Sequence, residues 1–435
     1  MRQLAWLKRF FRPLHMQILA ALVLAVIAGQ LSGTDAGLFG VTFYSIYDFF
    51  GRLFLNALQM LIVPLVAASI ITGMSSIGKS GRLGGVGAKT LIFYIVTTLL
   101  AVLVGLALVN AVQPGLSNGR PVGEQLSLDA SSAQVAHNIK SGSASDVVDV
   151  FIRMVPPNIL DAATSNNAIL AVIFFSILFG FFMTRVSGKP GETLRNFWQG
   201  VFEVMMKMTH WVMLFSPIGV FALVAKVVAE TGFAAALPLV IFALTVVAAL
   251  LVQSLLVLPG LLYFIGRVNP WKMYRALSPP LWIAFSTASS NAALPSNMEC
   301  TEKNVGVSER ITNFVLPLGA TVNQNGSALY ECVAALFLAQ AYGVELTFAT
   351  QFTVVVLALV TSMGVAGVPA ASLVAITLIM SVIGVPLEAI GVLFVFDRIL
   401  DMMRTAVNVF GDSAGAVVVA RLEGETDFKV STVPG

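Results

Sequence analysis

Long apolar segments are the feature that most restricts how this chain can fold. An apolar stretch of about 17 residues follows a basic N-terminal arm, and hydrocarbon about 30 Å thick requires helices of that order. Seven further segments of sufficient length lie at 43–73, 87–113, 166–185, 197–228, 236–266, 310–341 and 386–420. Only 11% of the residues are charged, whereas soluble domains carry about 25%. The sequence therefore predicts an all-α polytopic membrane protein with eight transmembrane helices, and it excludes an ordinary water-soluble enzyme.

Charges in the loops predict the orientation of these spans. Basic residues concentrate in the N-terminal arm and at 74–86, 185–196 and 267–275, whereas the loops at 33–42 and 114–150 carry net negative charge. Because short cytoplasmic loops are enriched in Lys and Arg, we expect both termini on the cytoplasmic side of the cell (inner) membrane. The net charge of +3 is too small for a nucleic-acid surface, so no nucleic-acid partner is expected.

Two further apolar stretches, 276–298 and 350–381, are interrupted by small and polar residues. The interruptions read STASSNAALPS and TSMGVAGVPAAS, and they begin 75 residues apart. Non-helical backbone at membrane depth persists only where protein buries it or where it lines a wet cavity. A Pro/Gly kink in an ordinary span is the alternative for either break alone. Two such breaks in corresponding positions favour two re-entrant helical hairpins in inverted repeats, with a binding site between them.

The last span carries a stripe of polar residues. Its members follow one another at steps of four, three, four and four residues: Asp397, Asp401, Arg404, Asn408 and Asp412. On a helix they occupy an arc of about 80°. Buried charges of this kind usually mark a substrate or ion pathway, although a salt-bridge ladder that only locks helices together is the alternative. Three carboxylates share the stripe with Arg404 alone, so bound cations or protons are expected to balance the charge.

The residue types in the stripe suggest its ligands. Arg404 suits an anionic substrate because its planar guanidinium can donate two parallel hydrogen bonds to one carboxylate. Asp401 suits a substrate ammonium group, while Asn408 and Asp412 offer the hard oxygen ligands that an alkali cation prefers. A C4-dicarboxylate would leave Asp401 without a cationic partner. A neutral amino acid is disfavoured because Arg404 would then be buried without a counter-charge.

The preceding span contributes a second polar face. Asn323, Ser327 and Glu331 fall four residues apart in the stretch PLGATVNQNGSALYE, and Gly326 is expected to interrupt this helix and expose carbonyl groups to sodium. Glu331 is a lone carboxylate deep in an apolar run. It is either a proton carrier or a hydrogen-bonded structural acid.

These residues resemble the dicarboxylate/amino acid:cation symporter family, which includes the excitatory amino acid transporters and their bacterial relatives. The resemblance covers essentially the whole chain, and its most specific parts are TASSNAALP, ITNFVLPLGATVNQNGSALYECVAALFLAQ, SMGVAGVP and RILDMMRTAVNVFGDS. It implies the glutamate-transporter fold, a homotrimer in which a transport part of each subunit moves like an elevator against a scaffold.

The resemblance also implies boundaries within the chain. It places scaffold spans 1 and 2 at 1–75, span 3 of the transport part at 84–113, scaffold spans 4 and 5 at 150–230, and the transport core at 236–435. Within the core, span 6 comes first, followed by hairpin 1 at 271–298, span 7 at 310–341, hairpin 2 at 348–381 and span 8 at 386–420.

Site residues are likewise implied by the matching positions. For the substrate they are Ser289, Ser290, Asn291, Ser327, Gly367, Asp397, Asp401, Arg404, Thr405 and Asn408. Arg404 would bind the side-chain carboxylate and Asp401 the amino group, while Thr405, Asn408 and the backbone around Ser290 would hold the α-carboxylate. One sodium site would use Gly319, Asn323, Asn408 and Asp412. A second would use Thr321, Ser362, Met363 and Val365.

A third sodium site departs from the family pattern. Its implied residues are Tyr94, Thr97, Thr98 and Asn325, but the chain reads Asn-Gln-Asn-Gly-Ser where the family has Asn-Met-Asp-Gly-Thr. Because neutral Asn325 replaces a carboxylate, we expect weaker sodium binding there. Glu331 matches the acid thought to carry the proton in animal glutamate transporters, where potassium counter-transport accompanies it.

The expected function is therefore uptake of L-glutamate or L-aspartate, driven by sodium, with proton coupling and potassium counter-transport as further hypotheses. The alternatives are a C4-dicarboxylate symporter for succinate, malate or fumarate, a neutral amino acid transporter, and a channel. The expected partners are the acidic amino acid, Na⁺ and the lipid bilayer. Neither an organic cofactor nor an enzymatic activity is expected.

Overall fold

The computed structural model describes residues 14–78, 84–126, 155–164, 169–232, 236–364 and 371–430, together with residues 128 and 152. Most of these residues are helical. The N-terminal arm, most of the 114–150 loop and the centre of the second interruption lie outside the described residues.

The first half of the described chain is a series of helices with two short β-hairpins. The helices are α1 (Leu14–Ser32), α2 (Phe43–Gly78), α3 (Gly84–Val112), α4 (Ile159–Thr164), α5 (Ile169–Met183), α6 (Gly188–Met213) and α7 (Ser216–Thr231). Strand β1 (Gly37–Leu38) pairs antiparallel with β2 (Val41–Thr42), and β3 (Leu116–Ser117) pairs antiparallel with β4 (Arg120–Pro121). A 3-10 helix, Glu124–Leu126, follows the second hairpin.

The second half contains the helices that carry the predicted site. They are α8 (Ala236–Val252), α9 (Leu258–Leu261), α10 (Pro270–Ala276), α11 (Ser278–Thr287), α12 (Ser290–Cys300), α13 (Glu309–Val322), α14 (Asn325–Ala341), α15 (Phe348–Gly364), α16 (Ala371–Ile383) and α17 (Phe394–Leu422). Wider π-helical turns at Gln253–Val257, Leu262–Gly266 and Thr301–Val305 follow α8, α9 and α12, and a 3-10 helix, Leu387–Leu393, leads into α17.

Packing contacts join the helices into two groups. In the first group, α7 packs on α1 and α2, and α2 packs on α5 and α6. In the second, α14 contacts α3, α8, α15, α16 and α17, and α17 also contacts α11, α12 and α13. Every residue of α14 is buried, so this helix lies at the centre of its group. The assignment of these groups to a fixed scaffold and a mobile transport part stays a prediction.

The first predicted interruption is a turn between two helices. Helices α11 and α12 pack against each other on either side of Ala288 and Ser289. Ala288 adopts a φ of +51°, and Ser289 caps α12 because its Oγ accepts a hydrogen bond from the Ala292 N–H at 3.3 Å. The second interruption falls at residues 365–370, which are outside the described residues. Its flanking helices α15 and α16 also pack together.

The segment at 197–228, which is predicted to be one span, is not one straight helix. Helix α6 ends at Met213, α7 begins at Ser216, and the two helices are bent by 54° relative to each other. Pro217 lies in the first turn of α7. Proline lacks a backbone N–H donor and is favoured at the start of a helix, which explains why the apolar run divides there.

Length and apolar composition identify some of the membrane-spanning helices. Among the described residues, Gly85–Val112 and Leu237–Gly266 are long and apolar enough to cross a membrane, and the bent pair Gly188–Met213 and Ser216–Glu230 would form a third span. Shorter apolar helices lie at Met16–Ser32, Val63–Met74, Phe174–Met183 and Phe348–Ser362. A helical integral membrane protein is thus supported, whereas the number of eight spans stays a prediction.

Candidate functional site

The predicted polar stripe is buried within helix α17. Its five residues are each no more than 6% exposed: Asp397, Asp401, Arg404, Asn408 and Asp412. They belong to a helix that contacts both halves of the first hairpin and helices α13 and α14. The charges therefore lie in the protein interior, as expected for residues that bind a ligand or one another.

Arg404 is held by two carboxylates and an aromatic ring. Its Nη1 lies 3.1 Å from Asp397 Oδ1, and its Nη2 lies 2.9 Å from Asp401 Oδ1. The guanidinium carbon lies 4.2 Å from the centre of the Tyr330 ring, a cation–π distance. Among the described residues, Arg404 Nε has no hydrogen-bond partner. A buried guanidinium with an unused N–H fits a carboxylate ligand.

The expectation that Arg404 is the only cation among the carboxylates is wrong. Arg398 is also buried, and its Nη1 lies 3.8 Å from Asp401 Oδ2. Arg398 lies off the stripe, but it is three residues from Asp401, a spacing at which helix side chains meet, so the sequence did contain a signal for this pair. Asp397 and Asp401 already balance the charge of Arg404, so burial of Arg404 does not by itself disfavour a neutral amino acid.

The interruption of the preceding span lies at Asn323 and Gln324, and not at Gly326. Helix α13 ends at Val322 and α14 begins at Asn325. Gly326 belongs to the first turn of α14, where an added Cβ would lie 2.7 Å from the Arg404 carbonyl oxygen. The missing side chain therefore permits close approach of α14 and α17, while the two amide residues occupy the break.

Asn408 connects this break to the stripe. Its Oδ1 accepts a hydrogen bond from the Gly326 N–H at 2.7 Å. Its Nδ2 donates to Gln324 Oε1 at 2.8 Å and to Ser327 Oγ at 3.1 Å. Gln324 was not among the predicted site residues, because no periodic pattern identifies an amide located between two helices. Its contacts show that it helps to hold Asn408 in position.

The four residues predicted for the first sodium site come together, since Asn323 Nδ2 lies 3.4 Å from the Asn408 carbonyl oxygen and contacts Asp412 as well. Asn323 Nδ2 donates to Asp412 Oδ1 at 2.8 Å, and Asn323 Oδ1 is buried without a hydrogen-bond partner among the described residues. A Cβ added at Gly319 would lie 2.6 Å from Asp412 Oδ1. One buried carboxylate and one unsatisfied amide oxygen form a donor set that fits a hard monovalent cation.

We expect Gly319→Ala to raise the sodium concentration required for half-maximal transport at least about tenfold, or about 1.4 kcal/mol. The added methyl group would lie 2.6 Å from both Asp412 Oδ1 and Tyr94 Oη, so these atoms would have to move. Sodium titration of uptake measures the effect. Gly200→Ala is the control because nothing lies within 4 Å of its added Cβ. Equal sodium dependence of the two variants would contradict this placement of the cation.

The other predicted cation ligands are not brought together in the same way. Thr321 Oγ1 and Ser362 Oγ donate to carbonyl groups of their own helices, Leu318 and Leu359. Met363 lies near the end of α15, and Val365 is outside the described residues. This second site stays a prediction.

At the predicted third site, Tyr94 donates to the Val315 carbonyl at 2.9 Å, and Thr97 donates to the Phe93 carbonyl at 2.9 Å. Thr98 Oγ1 and Asn325 Nδ2 are buried without hydrogen-bond partners in the described part of the chain. Since Asn325 Nδ2 is a donor, it offers nothing to a cation, and its Oδ1 accepts from the Gly326 N–H.

The remaining predicted substrate residues occupy different settings. Ser290 is buried at the start of α12, whereas Asn291 is exposed. Thr405 Oγ1 donates to the Asp401 carbonyl at 2.7 Å, so it is engaged within its own helix. Gly367 lies outside the described residues. Their roles in substrate binding stay predictions.

Glu331 contacts a hydroxyl group that the sequence did not indicate. It is fully buried in α14, and its Oε2 lies 2.9 Å from Thr361 Oγ1 on α15. Thr361 Oγ1 also lies 2.8 Å from the Leu357 carbonyl. A hydroxyl carries a single hydrogen. That hydrogen can be donated to Glu331 Oε2 or to the Leu357 carbonyl, so the hydroxyl group can pair with Glu331 whether or not the carboxyl group is protonated.

A profile of the sodium:dicarboxylate symporter family matches residues 14–422. This chain belongs to that family. A proton/glutamate-aspartate symporter of Escherichia coli K12 is 35% identical over 95% of this chain and 93% of its own length. A proton/sodium-glutamate symport protein of Geobacillus stearothermophilus is 34% identical over 94% of each chain. The human neutral amino acid transporter B(0) is 33% identical over 95% of this chain and 81% of its own.

Proposed function

We propose that this family member is a secondary active symporter that takes up L-glutamate or L-aspartate together with sodium. The observation that carries the proposal is Arg404, a buried guanidinium whose Nε is unpartnered among the described residues. Such a group recognises a carboxylate at the end of a short side chain. The names of the bacterial relatives, which mention glutamate, aspartate, protons and sodium, support this assignment.

Asp401 favours an amino acid over a C4-dicarboxylate. It lies one helical turn from Arg404 and is 6% exposed, so a substrate ammonium could approach it while the substrate carboxylate approaches Arg404. Succinate, malate and fumarate have no ammonium group to offer. Competition of each dicarboxylate against labelled L-glutamate uptake tests this choice, and strong inhibition by succinate would favour the dicarboxylate symporter.

A neutral amino acid is the second candidate, because the human relative B(0) is named for such substrates and Arg404 has internal counter-charges. The unused N–H of Arg404 favours the acidic substrate. L-glutamine is nearly isosteric with L-glutamate and differs in charge. Uptake of L-glutamine at a rate equal to that of L-glutamate would overturn the preference for acidic amino acids.

We further propose the transport mechanism implied by the family resemblance. Asp412, Asn323, Asn408 and the carbonyl of Gly319 would bind one sodium ion. The neutral Asn325 would weaken binding at the third site. Each subunit of a homotrimer would move its transport core as an elevator within the inner membrane, with both termini in the cytoplasm. The two groups of packed helices support a division into scaffold and transport parts.

Glu331 would carry a proton in the same cycle. The hydrogen-bond arrangement with Thr361 supports this role, because a hydroxyl group can donate to the ionised carboxylate and accept from the protonated carboxyl group. Because α14 and α15 both contribute to this arrangement, movement of α15 would change the environment of the carboxyl group and release its proton. Countertransport of potassium would use the site after proton release.

We expect Glu331→Gln to retain sodium-driven uptake and to lose acceleration by an inward proton gradient. Glutamine preserves the size and hydrogen bonding of the side chain but cannot release a proton. The measurement is uptake into proteoliposomes at fixed sodium, with and without a pH difference. Glu299→Gln is the matched control, since Glu299 is exposed and paired with Lys303. Equal acceleration of the Glu331→Gln variant and the wild-type protein would exclude Glu331 as the carrier.

A further inference from the structure

Arg398 is a buried cation that the proposed binding scheme does not use. It is 9% exposed and lies in α17 between Asp397 and Asp401. The two oxygens of Asp401 face different arginines: Oδ1 lies 2.9 Å from Arg404 Nη2, and Oδ2 lies 3.8 Å from Arg398 Nη1. Asp401 therefore bridges the two guanidinium groups.

The bridge determines the net charge of the substrate site. Asp397 and Asp401 together balance Arg398 and Arg404, so the four side chains have no net charge. An incoming carboxylate competes with Asp397 and Asp401 for Arg404. A carboxylate that loses its partner in a buried site is strongly destabilised. Arg398 can remain beside Asp401 when Arg404 turns to the substrate.

A small cavity separates Arg398 from the first group of helices. Its volume is about 20 Å³, and its polar lining includes Asp397, Arg398, Asp401 and Ser216 of α7. Arg404 does not line it. Arg398 Nε and Ser216 Oγ are buried without hydrogen-bond partners in the described part of the chain. The cavity has room for a water molecule with polar neighbours, so Arg398 borders a polar cavity that Arg404 does not line.

We propose that Arg398 is a positioning residue that sets the charge selectivity of the substrate site by balancing Asp401 while Arg404 binds the substrate carboxylate. The inference rests on the proposed uptake of acidic amino acids. Without Arg398, the site carries one net negative charge before any substrate arrives. A monoanionic substrate is then repelled, whereas a neutral amino acid of the same shape is not.

The test compares Arg398→Gln, which removes the charge, with Arg398→Lys, which keeps it. In proteoliposomes, Arg398→Gln is expected to raise the KM for L-glutamate about tenfold. This increase is modest for the loss of one positive charge a few ångströms from the substrate site, because nearby water would screen the charge. The inhibition constant of L-glutamine is expected to stay within about threefold, because this ligand has no net charge. Arg398→Lys is expected to restore the KM for L-glutamate to within about threefold of the wild-type value.

Arg421→Gln is the control for loss of an arginine from the same helix. Arg421 lies at the far end of α17, where its Nε donates to the Gly266 carbonyl at 3.1 Å, and both kinetic constants should stay unchanged. If the Arg398→Gln protein cannot be recovered, Arg398→Met removes the same charge. If L-glutamine does not inhibit the wild-type protein, the rise in KM and its rescue by lysine decide the outcome.

Two results would overturn the inference. One is an equal weakening of L-glutamate and L-glutamine, which indicates a purely structural residue. The other is an equal defect in the lysine and glutamine variants, which shows that the charge does not matter. Failure of the proposed function is recognised separately, because the wild-type protein would then take up neither L-glutamate nor L-aspartate.

Discussion

Replacing Arg404 by alanine is expected to abolish recognition of the acidic side chain, with a loss of kcat/KM for L-glutamate of at least about 100-fold. Truncation of one partner of a buried charge pair costs about 2–5 kcal/mol. Here the substrate loses its cation, and Asp397 and Asp401 lose the guanidinium that lies 3.1 Å and 2.9 Å from their oxygens. Uptake of labelled L-glutamate measures the loss.

Two controls distinguish recognition from folding for this variant. Arg404→Lys keeps the positive charge but loses the planar arrangement of donors, so its defect should be smaller than that of alanine. The Asp412 region lies two turns further along α17, and a sodium-dependent rise in unfolding temperature should persist in a folded Arg404→Ala protein. Unchanged L-glutamate affinity and uptake in Arg404→Ala would make the assignment of the substrate site wrong.

The second large effect is expected at the C-terminal end of the stripe. There, Asp412→Asn should raise the sodium concentration required for half-maximal uptake at least about tenfold, or about 1.4 kcal/mol. Asp412 is 2% exposed and is the one carboxylate among the residues predicted for this cation. Asparagine preserves its size but removes the attraction between a buried charge and the ion. Uptake as a function of sodium concentration measures the shift.

The Asp412→Asn variant should retain its affinity for L-glutamate. At saturating sodium, the KM for L-glutamate should stay close to the wild-type value, because Asp412 does not contact Arg404 or Asp401 in the structure. Asp427→Asn removes an exposed acid beyond the end of α17 and should alter neither parameter. A sodium dependence in Asp412→Asn identical to that of wild type would move the first cation site elsewhere.

The sequence predicted those parts of the fold that depend on local pattern. The helical period placed Asp397 and Arg404 on one buried face of α17, and small polar residues at 286–296 indicated the turn at Ala288. The resemblance to the symporter family is confirmed by the profile match over residues 14–422. Each of these features is carried by the order of residues along the chain and not by a contact between distant segments, so the sequence alone is sufficient to find it.

Features that depend on contacts between distant segments were not predicted. Periodicity identifies the face of a helix but not the partner across it, so Thr361 was missed although it touches Glu331. Arg398 is a different case, because it lies three residues from Asp401, a spacing at which helix side chains meet; it was missed because its position falls outside the stripe. The break was placed at Gly326 on the basis of residue type, whereas packing of Gly326 against Arg404 keeps it within α14.

Uptake of labelled L-glutamate and L-aspartate into proteoliposomes tests the central claim most directly. The purified protein is studied under an inward sodium gradient, an inward proton gradient, both gradients or neither, with succinate as competitor. We expect sodium-dependent accumulation of at least one of the two amino acids. The proton gradient should accelerate this uptake, and succinate should not inhibit it. Uptake that ignores sodium, or that succinate inhibits strongly, would contradict the roles given to Asp412 and Asp401.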